Sequence, residues 1–304
     1  MLSIQNITKH YAQHTALNKV SMEVATGQIF GLLGPNGAGK TSLIRIINQI
    51  TAPDAGEIFF NGTKLNQTHI SKIGYLPEER GLYKKMEIGE QLIYLARLKG
   101  LTRADALAKT KYWFTKMEME SWWKKKVEDL SKGMQQKVQF VASILHQPEL
   151  IILDEPFSGF DPVNAEVIKN EILELNKQGA TLIFSTHRME SVEALCQHIV
   201  LLNKSHKILD GNLNDIRNSY RNGSFKIMVD KPLIQTNFDN FEILKATSVN
   251  NNEEYHIRLN EAANLNQVLL SIIPQAQIIS VQEIIPSIND IFIEKVNPNT
   301  VSYA

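Results

Sequence analysis

Cysteine, long hydrophobic runs and an excess of charge of either sign are all missing or scarce in this sequence of 304 residues. The single cysteine, Cys196, cannot form a disulfide within the chain, which fits a reducing compartment and predicts a small buried hydrophobe. No apolar stretch approaches the roughly 18 to 20 residues that a membrane-spanning helix needs, and the N-terminus lacks the pattern of a signal peptide. Composition therefore predicts a soluble, cytoplasmic protein that reaches a membrane only through partners.

The charge balance also narrows the classes of partner. Lys and Arg together number 32, as do Asp and Glu. Because no global positive field favours the phosphate backbone of DNA or RNA, we expect no nucleic-acid partner. This argues against an ATPase that repairs DNA or handles chromosomes.

A glycine-rich loop is the first motif that carries chemistry. It fits G-x-x-x-x-G-K-[ST], follows the strand-like Ile29 to Leu33 and opens the helix-like Thr41 to Ile50. Its residues are Gly34, Pro35, Asn36, Gly37, Ala38, Gly39, Lys40, Thr41 and the following Ser42. The glycines let backbone N–H groups curl around phosphates, and the helix presents its positive end to the same anion. Lys40 suits the β and γ phosphates of a nucleotide, and the Thr41 hydroxyl suits Mg²⁺.

Two further motifs follow this loop in the chain. The segment Leu130-Ser131-Lys132-Gly133-Met134-Gln135-Gln136 lies shortly before the apolar run Leu150 to Leu153, which ends in Asp154-Glu155. Asp154 would hold the metal from the side opposite the glycine-rich loop. Glu155 is a candidate to polarise the attacking water. Together these motifs indicate an ATP-binding cassette.

With its motifs in this order, the chain resembles the nucleotide-binding subunits of ABC transporters over roughly its first 215 residues. The resemblance implies that Tyr11 stacks on adenine and that Ser158 to Asp161 form the D-loop of the family. It also implies that His187 is the switch histidine on the γ phosphate. Ser131 and Gly133 match the positions that bind the γ phosphate of the partner chain's ATP.

The chain departs from the family pattern at two places. Glu78 stands where the family usually has a glutamine, after the third strand of its core. An acid can still coordinate Mg²⁺ but adds negative charge, so metal affinity and hydrolysis rate are expected to differ from the family norm. The signature has Lys132 for the usual glycine and Met134 for the usual glutamine. Because Ser131 and Gly133 remain, we interpret the site as an active variant.

Several residues also have a purely structural interpretation. Taken alone, His187 is more often a surface or core histidine than a ligand, and Tyr11 is more often a packing residue. Their positions relative to the other motifs favour the functional roles. Trp113, Trp122 and Trp123 could contact a membrane partner, but helical spacing favours the core of a small subdomain.

The predicted fold class is α/β: a P-loop NTPase cassette with a mainly parallel sheet core and a helical subdomain, followed by a small α+β domain. The cassette spans residues 1–215, with the helical subdomain at about 88–145, and the C-terminal domain spans 216–304. Predicted cassette strands are Leu2 to Ile7, Ile29 to Leu33, Ile73 to Leu76, Ile151 to Asp154, Thr181 to Ser185 and Ile199 to Leu202.

The C-terminal domain is predicted from shorter patterns. Alternating segments surround a turn at Asn250-Asn251-Asn252, two helix-like segments follow, and a loose tail extends beyond Pro298. This part resembles the extension on some subunits of ABC-2-type and sodium- or drug-export systems. Dimerisation or regulation is our hypothesis for it.

The expected function is that of an ATP-binding and hydrolysing subunit that powers a membrane ABC transporter, an exporter by the resemblance, through closure and reopening of a dimer. The expected cofactors are ATP and Mg²⁺. The expected partners are a polytopic membrane permease and a second ATP-binding subunit in a homodimer, which would hold the protein on the inner face of the cell membrane. Two alternatives stay open: a soluble ABC ATPase acting on ribosomes or another cytosolic machine, and an inactive regulatory nucleotide binder.

Overall fold

The computed structural model describes residues 1–79, 81–235, 237–260 and 263–296. The predicted tail beyond Pro298 lies outside these residues. By its internal contacts the chain divides into one compact unit, Met1–Leu213, and a second that begins at Asn214. Within the described residues, none of the helices has both the length and the apolar character to cross a bilayer.

The first unit contains strands in two sheets and helices around them. Its strands are β1 (Leu2–Tyr11), β2 (His14–Val24), β3 (Ile29–Leu33), β4 (Ala55–Phe60), β5 (Thr63–Lys64), β6 (Ile73–Leu76), β7 (Leu150–Asp154), β8 (Thr181–Ser185), β9 (His198–Asn203) and β10 (His206–Asn212). Its helices are α1 (Lys40–Ile47), α2 (Ile88–Leu98), α3 (Arg103–Lys116), α4 (Lys132–Ile144), α5 (Pro162–Lys177) and α6 (Met189–Leu195).

The larger sheet has the strand order β10-β9-β3-β8-β7-β6. Every neighbouring pair from β9 to β6 is parallel, and only β10 runs antiparallel to β9. Strands β3, β7 and β8 are buried at every residue, as expected for parallel strands whose two faces are both covered. The mainly parallel core is therefore confirmed, and the carboxyl ends of β3, β6, β7 and β8 lie along one edge.

The second sheet of this unit corrects part of the sequence interpretation. Strand β1 does not join the parallel sheet but pairs antiparallel with β2 and β4, in the order β2-β1-β4-β5. Neither β2 nor β4 is predicted from the sequence. Helix α1 also ends at Ile47, three residues before the predicted Ile50, because Gln49 takes a positive φ of 55° that no helix accommodates.

Between β6 and β7 the chain is helical, with α2, α3 and α4. The aromatic side chains of this region pack on one another: Trp113 and Phe114 are buried, and the Trp123 ring lies 4.8 Å from the Phe114 ring. Gly89 leaves room for Trp123, since a Cβ there would come within 2.5 Å of the indole. These contacts agree with the core role favoured from helical spacing, although Tyr112 is exposed.

Cys196 follows α6 and is buried. Burial raises the pKa of its thiol to about 12. The side chain therefore stays protonated and packs as a small hydrophobe, close to Gly31 of β3.

The second unit is an antiparallel sheet with a helix on its core face. After α7 (Leu213–Ser219), its elements are β11 (Ser224–Val229), β12 (Phe241–Val249), β13 (Asn252–Leu259), α8 (Leu265–Ile272), β14 (Ile278–Glu283) and α9 (Ile288–Val296). The strand order is β12-β13-β11-β14. Val268 and Ile272 of α8 pack in one cluster with Ile227 and Ile257 of the sheet. Asn250 and Asn251 both have positive φ and form the predicted hairpin turn.

Candidate nucleotide-binding site

The loop between β3 and α1 requires glycine at two positions. Gly34 and Gly39 have φ values of 150° and 110°. A Cβ would lie 2.3 Å from the backbone oxygen of Leu202 at the first position and 2.3 Å from that of Ala16 at the second. Any side chain would therefore collide with fixed backbone at either place. The glycines let the loop pass close to β2 and β9 and turn into the first residue of α1, Lys40.

The Lys40 side chain is folded back onto this loop. Its Nζ donates to the Gly34 oxygen at 2.7 Å and to the Pro35 oxygen at 3.2 Å, and the residue is only 8% exposed. Burial lowers the pKa of the ammonium group, while the nearby Glu155, Asp154 and Glu78 carboxylates oppose that shift. Lys40 is thus a cation held next to the phosphate-binding loop, close to three acidic side chains.

Three carboxylates converge on Lys40 from the ends of neighbouring strands. Asp154 is the last residue of β7 and is 3% exposed, Glu155 follows it, and Glu78 lies in the loop after β6. The pKa of Asp154 is raised, chiefly by burial and further by the charges of Glu78 and Glu155, against the effect of Lys40. Crowded acids of this kind are stabilised by an additional positive charge.

Glu155 is held in place by the segment that follows β8. Its carboxylate accepts hydrogen bonds from the Thr186 hydroxyl at 3.0 Å and from the backbone N–H of His187 at 2.9 Å. His187 Nδ1 lies 2.7 Å from the same carboxylate, and its side chain is 63% exposed. The backbone of Glu155 has a positive φ of 50°, an uncommon conformation for a glutamate. No sequence pattern predicts Thr186 as a partner of this acid.

A single pocket of about 420 Å³ collects most of the residues predicted from the sequence. It is lined by Tyr11, His14, Ala16, Asn36, Gly37, Ala38, Gly39, Lys40, Thr41, Ser42, Glu78, Asp154, Glu155 and His187. Gly34 and Pro35 lie behind it and bind Lys40 through their carbonyls. His14 and Ala16 were missed because β2, which carries them, was not predicted.

Tyr11 lies at the rim of this pocket. The residue is 39% exposed, and the Lys9 Nζ lies 5.5 Å from the centre of its ring. Tyr11 therefore places an aromatic ring at the edge of the same pocket that Lys40 lines.

Ser131 and Gly133 do not line this pocket. Ser131 caps helix α4, accepting a hydrogen bond from the Met134 N–H at 3.3 Å, and is exposed. Gly133, in the first turn of α4, lies beside the Gly159 oxygen, 3.4 Å from where a Cβ would stand. Ser131 and Lys132 at the start of α4 are exposed, and this end of the helix is the positive end of its dipole, which suits an anion.

Comparison with known proteins identifies the family of this chain. Residues 17–158 match the family described as ABC transporter, and residues 211–296 match the C-terminal domain of ATP-binding proteins like DrrA1-3. The ABC transporter ATP-binding protein YhaQ of Bacillus subtilis is 44% identical over 233 residues, which cover 77% of this chain and 78% of YhaQ. This chain belongs to the ATP-binding proteins of ABC transporters.

Other members of this ABC family extend the comparison. The ABC transporter ATP-binding protein BpOF4_11395 of Alkalihalophilus pseudofirmus is 40% identical over 87% of this chain and 98% of its own length. The linearmycin resistance ATP-binding protein LnrL of B. subtilis is 34% identical over 71% of this chain and 70% of its own.

Solved ABC cassettes share the fold of the first unit. The ATP-binding subunit of an ABC transporter has a TM-score of 0.68 and 30% identity, covering 72% of this chain and 93% of its own. The dimeric cassette MJ0796, in a post-hydrolysis state with ADP and Pi, has a TM-score of 0.65 and 23% identity, over 70% of this chain and 99% of its own. The resemblance to nucleotide-binding subunits of ABC transporters and the predicted fold class are confirmed, and the protein is an ATP-binding ABC ATPase.

Proposed function

We propose that this protein hydrolyses ATP with Mg²⁺ in a head-to-tail dimer and that closure and reopening of the dimer drive a membrane exporter. The observation that carries the proposal is the shared pocket, in which the glycine-rich loop, Lys40, Asp154, Glu155 and His187 surround one cavity. The signature residues Ser131 and Gly133 lie outside that cavity, so a second chain is needed to bring them to ATP.

The oxygen ligands around Lys40 suit Mg²⁺. Thr41 contributes a hydroxyl, and Asp154 and Glu78 contribute carboxylates to the same pocket. Mg²⁺ typically takes one or two protein carboxylates and completes its shell with water and phosphate oxygens. When bound, the ion would neutralise charge on the phosphates and offset both the burial and the neighbouring acidic charges that raise the Asp154 pKa.

The protein's own groups divide the remaining work. The loop N–H groups and Lys40 hold the phosphates, and Tyr11 stacks on adenine. Glu155 orients the attacking water and accepts a proton from it. The hydrogen bonds from Thr186 and His187 fix the Glu155 carboxylate for this role. His187, whose Nδ1 lies 2.7 Å from the Glu155 carboxylate, contacts the γ phosphate. This division makes hydrolysis mainly a matter of positioning and charge stabilisation.

The position of the signature residues supports the proposed dimer. Each ATP would be held by the Lys40 loop of one chain and by Ser131 and Gly133 of the other. Because these contacts exist only in the closed dimer, ATP favours closure and loss of the γ phosphate favours reopening. The dimeric cassette among the structural neighbours has this fold.

Mixing two defective variants tests the head-to-tail arrangement. Lys40→Met damages the loop of its own chain, and Ser131→Arg blocks the signature surface offered to the partner. We expect each homodimer to be inactive, because both of its sites carry a defect. A mixed dimer contains one site with both defects and one intact site, so a 1:1 mixture should recover about a quarter of wild-type ATPase activity.

The same mixing assay can refute this arrangement. A mixture that stays as inactive as its components would contradict a site built from the loop of one chain and the signature of the other. A Ser131→Arg protein that is fully active by itself would remove the signature residue from the reaction.

The proposal also includes the direction of transport and the partners. Relatives include a linearmycin resistance protein, and the second unit matches the C-terminal domain of DrrA1-3-like proteins. These likenesses support an exporter whose polytopic permease holds this subunit, as a homodimer, on the cytoplasmic face of the cell membrane. The C-terminal domain is assigned to dimerisation or regulation. We propose the cassette as residues 1–215 and the accessory domain as 216–304.

A further inference from the structure

Gln139 is a buried polar side chain of helix α4 that the proposed reaction does not use. It is 4% exposed, and its Nε2 lies 3.2 Å from the Pro77 oxygen and 3.2 Å from the Glu79 oxygen. These two carbonyls flank Glu78. Because both neighbours are acceptors, only the NH₂ end of the amide can face them, so the orientation of the side chain follows from its surroundings.

Packing alone does not explain a glutamine at this position. Its Oε1 is buried and has no hydrogen-bond partner among the described residues. Burying an acceptor without a partner costs free energy, which an apolar side chain of the same size would avoid. What the glutamine contributes instead is a pair of hydrogen bonds to the loop that carries Glu78.

The side chains that donate these hydrogen bonds belong to helix α4. Gln136 precedes Gln139 by about one turn on the same face of α4. Its Nε2 donates to the Pro156 oxygen at 3.4 Å. Pro156 comes directly after Glu155. The side-chain amides of one rigid helix therefore hold the two loops that carry the acidic residues Glu78 and Glu155.

We propose that Gln139 is a positioning residue that fixes the Glu78 loop so that the Glu78 carboxylate reaches the metal bound with ATP. The proposal rests on the metal-binding role given to Glu78 under the proposed function. Glu78 itself is exposed, whereas the carbonyls on either side of it are held. Holding both flanking carbonyls restricts rotation of the Glu78 backbone and reduces the entropy that metal binding has to overcome.

Loss of the Gln139 amide should weaken metal binding although this side chain does not itself contact the metal. Groups that orient a metal ligand through hydrogen bonds typically contribute 10- to 100-fold in metal affinity. For Gln139→Met, which keeps the length of the side chain and removes both N–H donors, we expect about a tenfold increase in the metal concentration needed for half-saturation. Hydrolysis at saturating Mg²⁺ should change much less.

The experiment is a double-mutant cycle with Glu78→Ala. Mn²⁺ binding in the presence of a non-hydrolysable ATP analogue is followed by EPR, and the Mg²⁺ dependence of ATP hydrolysis is measured in parallel. We expect Glu78→Ala to raise the metal requirement and Gln139→Met to add nothing in the Glu78→Ala background, since the amide acts through that carboxylate.

The outcomes separate the two proposals. An unchanged metal requirement in Glu78→Ala would overturn the metal role of Glu78 and, with it, the role of Gln139. If Glu78→Ala has its expected effect, an absent effect of Gln139→Met, or one of equal size in both backgrounds, would overturn the positioning role alone.

A matched control is available on α5. The Asn176 Nδ2 also donates to two backbone carbonyls, of Gly27 at 2.9 Å and Ala180 at 3.0 Å, but none of these residues lines the nucleotide pocket. Asn176→Leu should leave the metal requirement unchanged, and a shift equal to that of Gln139→Met would overturn the proposal. Thermal unfolding checks each variant for folding, and Gln139→Ala replaces Gln139→Met in the cycle if the latter is unfolded.

Discussion

Glu155→Gln is expected to retain ATP binding and lose about 10²- to 10⁴-fold in hydrolysis rate, the usual contribution of a general base. Glutamine keeps the shape of the side chain but cannot accept a proton from water. Because the γ phosphate then persists, closed dimers should accumulate with ATP. Steady-state phosphate release and size-exclusion chromatography with and without ATP measure the two effects.

Glu174→Gln is the control for this substitution. Glu174 lies on the exposed side of α5 and accepts a hydrogen bond from Gln178 at 2.9 Å, which an amide oxygen can also accept. Its replacement should leave both turnover and dimerisation unchanged. Unimpaired turnover in Glu155→Gln would contradict the role assigned to Glu155.

Lys40→Met should abolish most ATP binding. The Lys40 ammonium lies beside the phosphate-binding loop and is influenced by the Glu78, Asp154 and Glu155 carboxylates in the same pocket. Hydrogen bonds to charged groups contribute about 1.5–3 kcal/mol each, so affinity should fall by at least about tenfold to a hundredfold. The unbalanced charge of Glu78, Asp154 and Glu155 then repels the triphosphate further. Equilibrium binding of a fluorescent ATP analogue gives the measurement.

Lys99 allows the electrostatic effect to be separated from the loss of a half-buried lysine that donates to backbone carbonyls. Like Lys40 it donates to two backbone carbonyls, of Ile70 and Ile73, both at 2.8 Å, and burial lowers the pKa of its ammonium group. It does not line the nucleotide pocket. Lys99→Met should reduce the free energy of unfolding but leave ATP affinity intact. Equal loss of affinity in both variants would contradict a specific role for Lys40.

The sequence predicts those parts of the site in which the reactive residues belong to a motif within or directly beside a single strand or helix. The glycine-rich loop needs its residues in one order between a strand and a helix, and Asp154 and Glu155 follow an uninterrupted apolar strand. Adjacent parallel strands then end at one edge of the sheet, which brings these motifs together.

The parts that the sequence does not predict depend on long-range packing. His14 and Ala16 reach the pocket from β2, whose pairing with β1 contains register shifts that no local pattern reveals. The bond between Thr186 and Glu155 joins residues 31 positions apart. The hydrogen bonds of Gln139 to the Glu78 loop span about 60 residues, so the link between α4 and that loop emerges only in the folded chain.

Purification from native membranes tests the central claim most directly. The chain is tagged, membranes are extracted gently with detergent, and the proteins that co-purify are identified, with an untagged strain as the control. The account predicts a multi-span membrane protein in stoichiometric amount, in which the transported substrate can then be sought. Recovery from the soluble fraction alone, together with ribosomal or other cytosolic proteins, would contradict it.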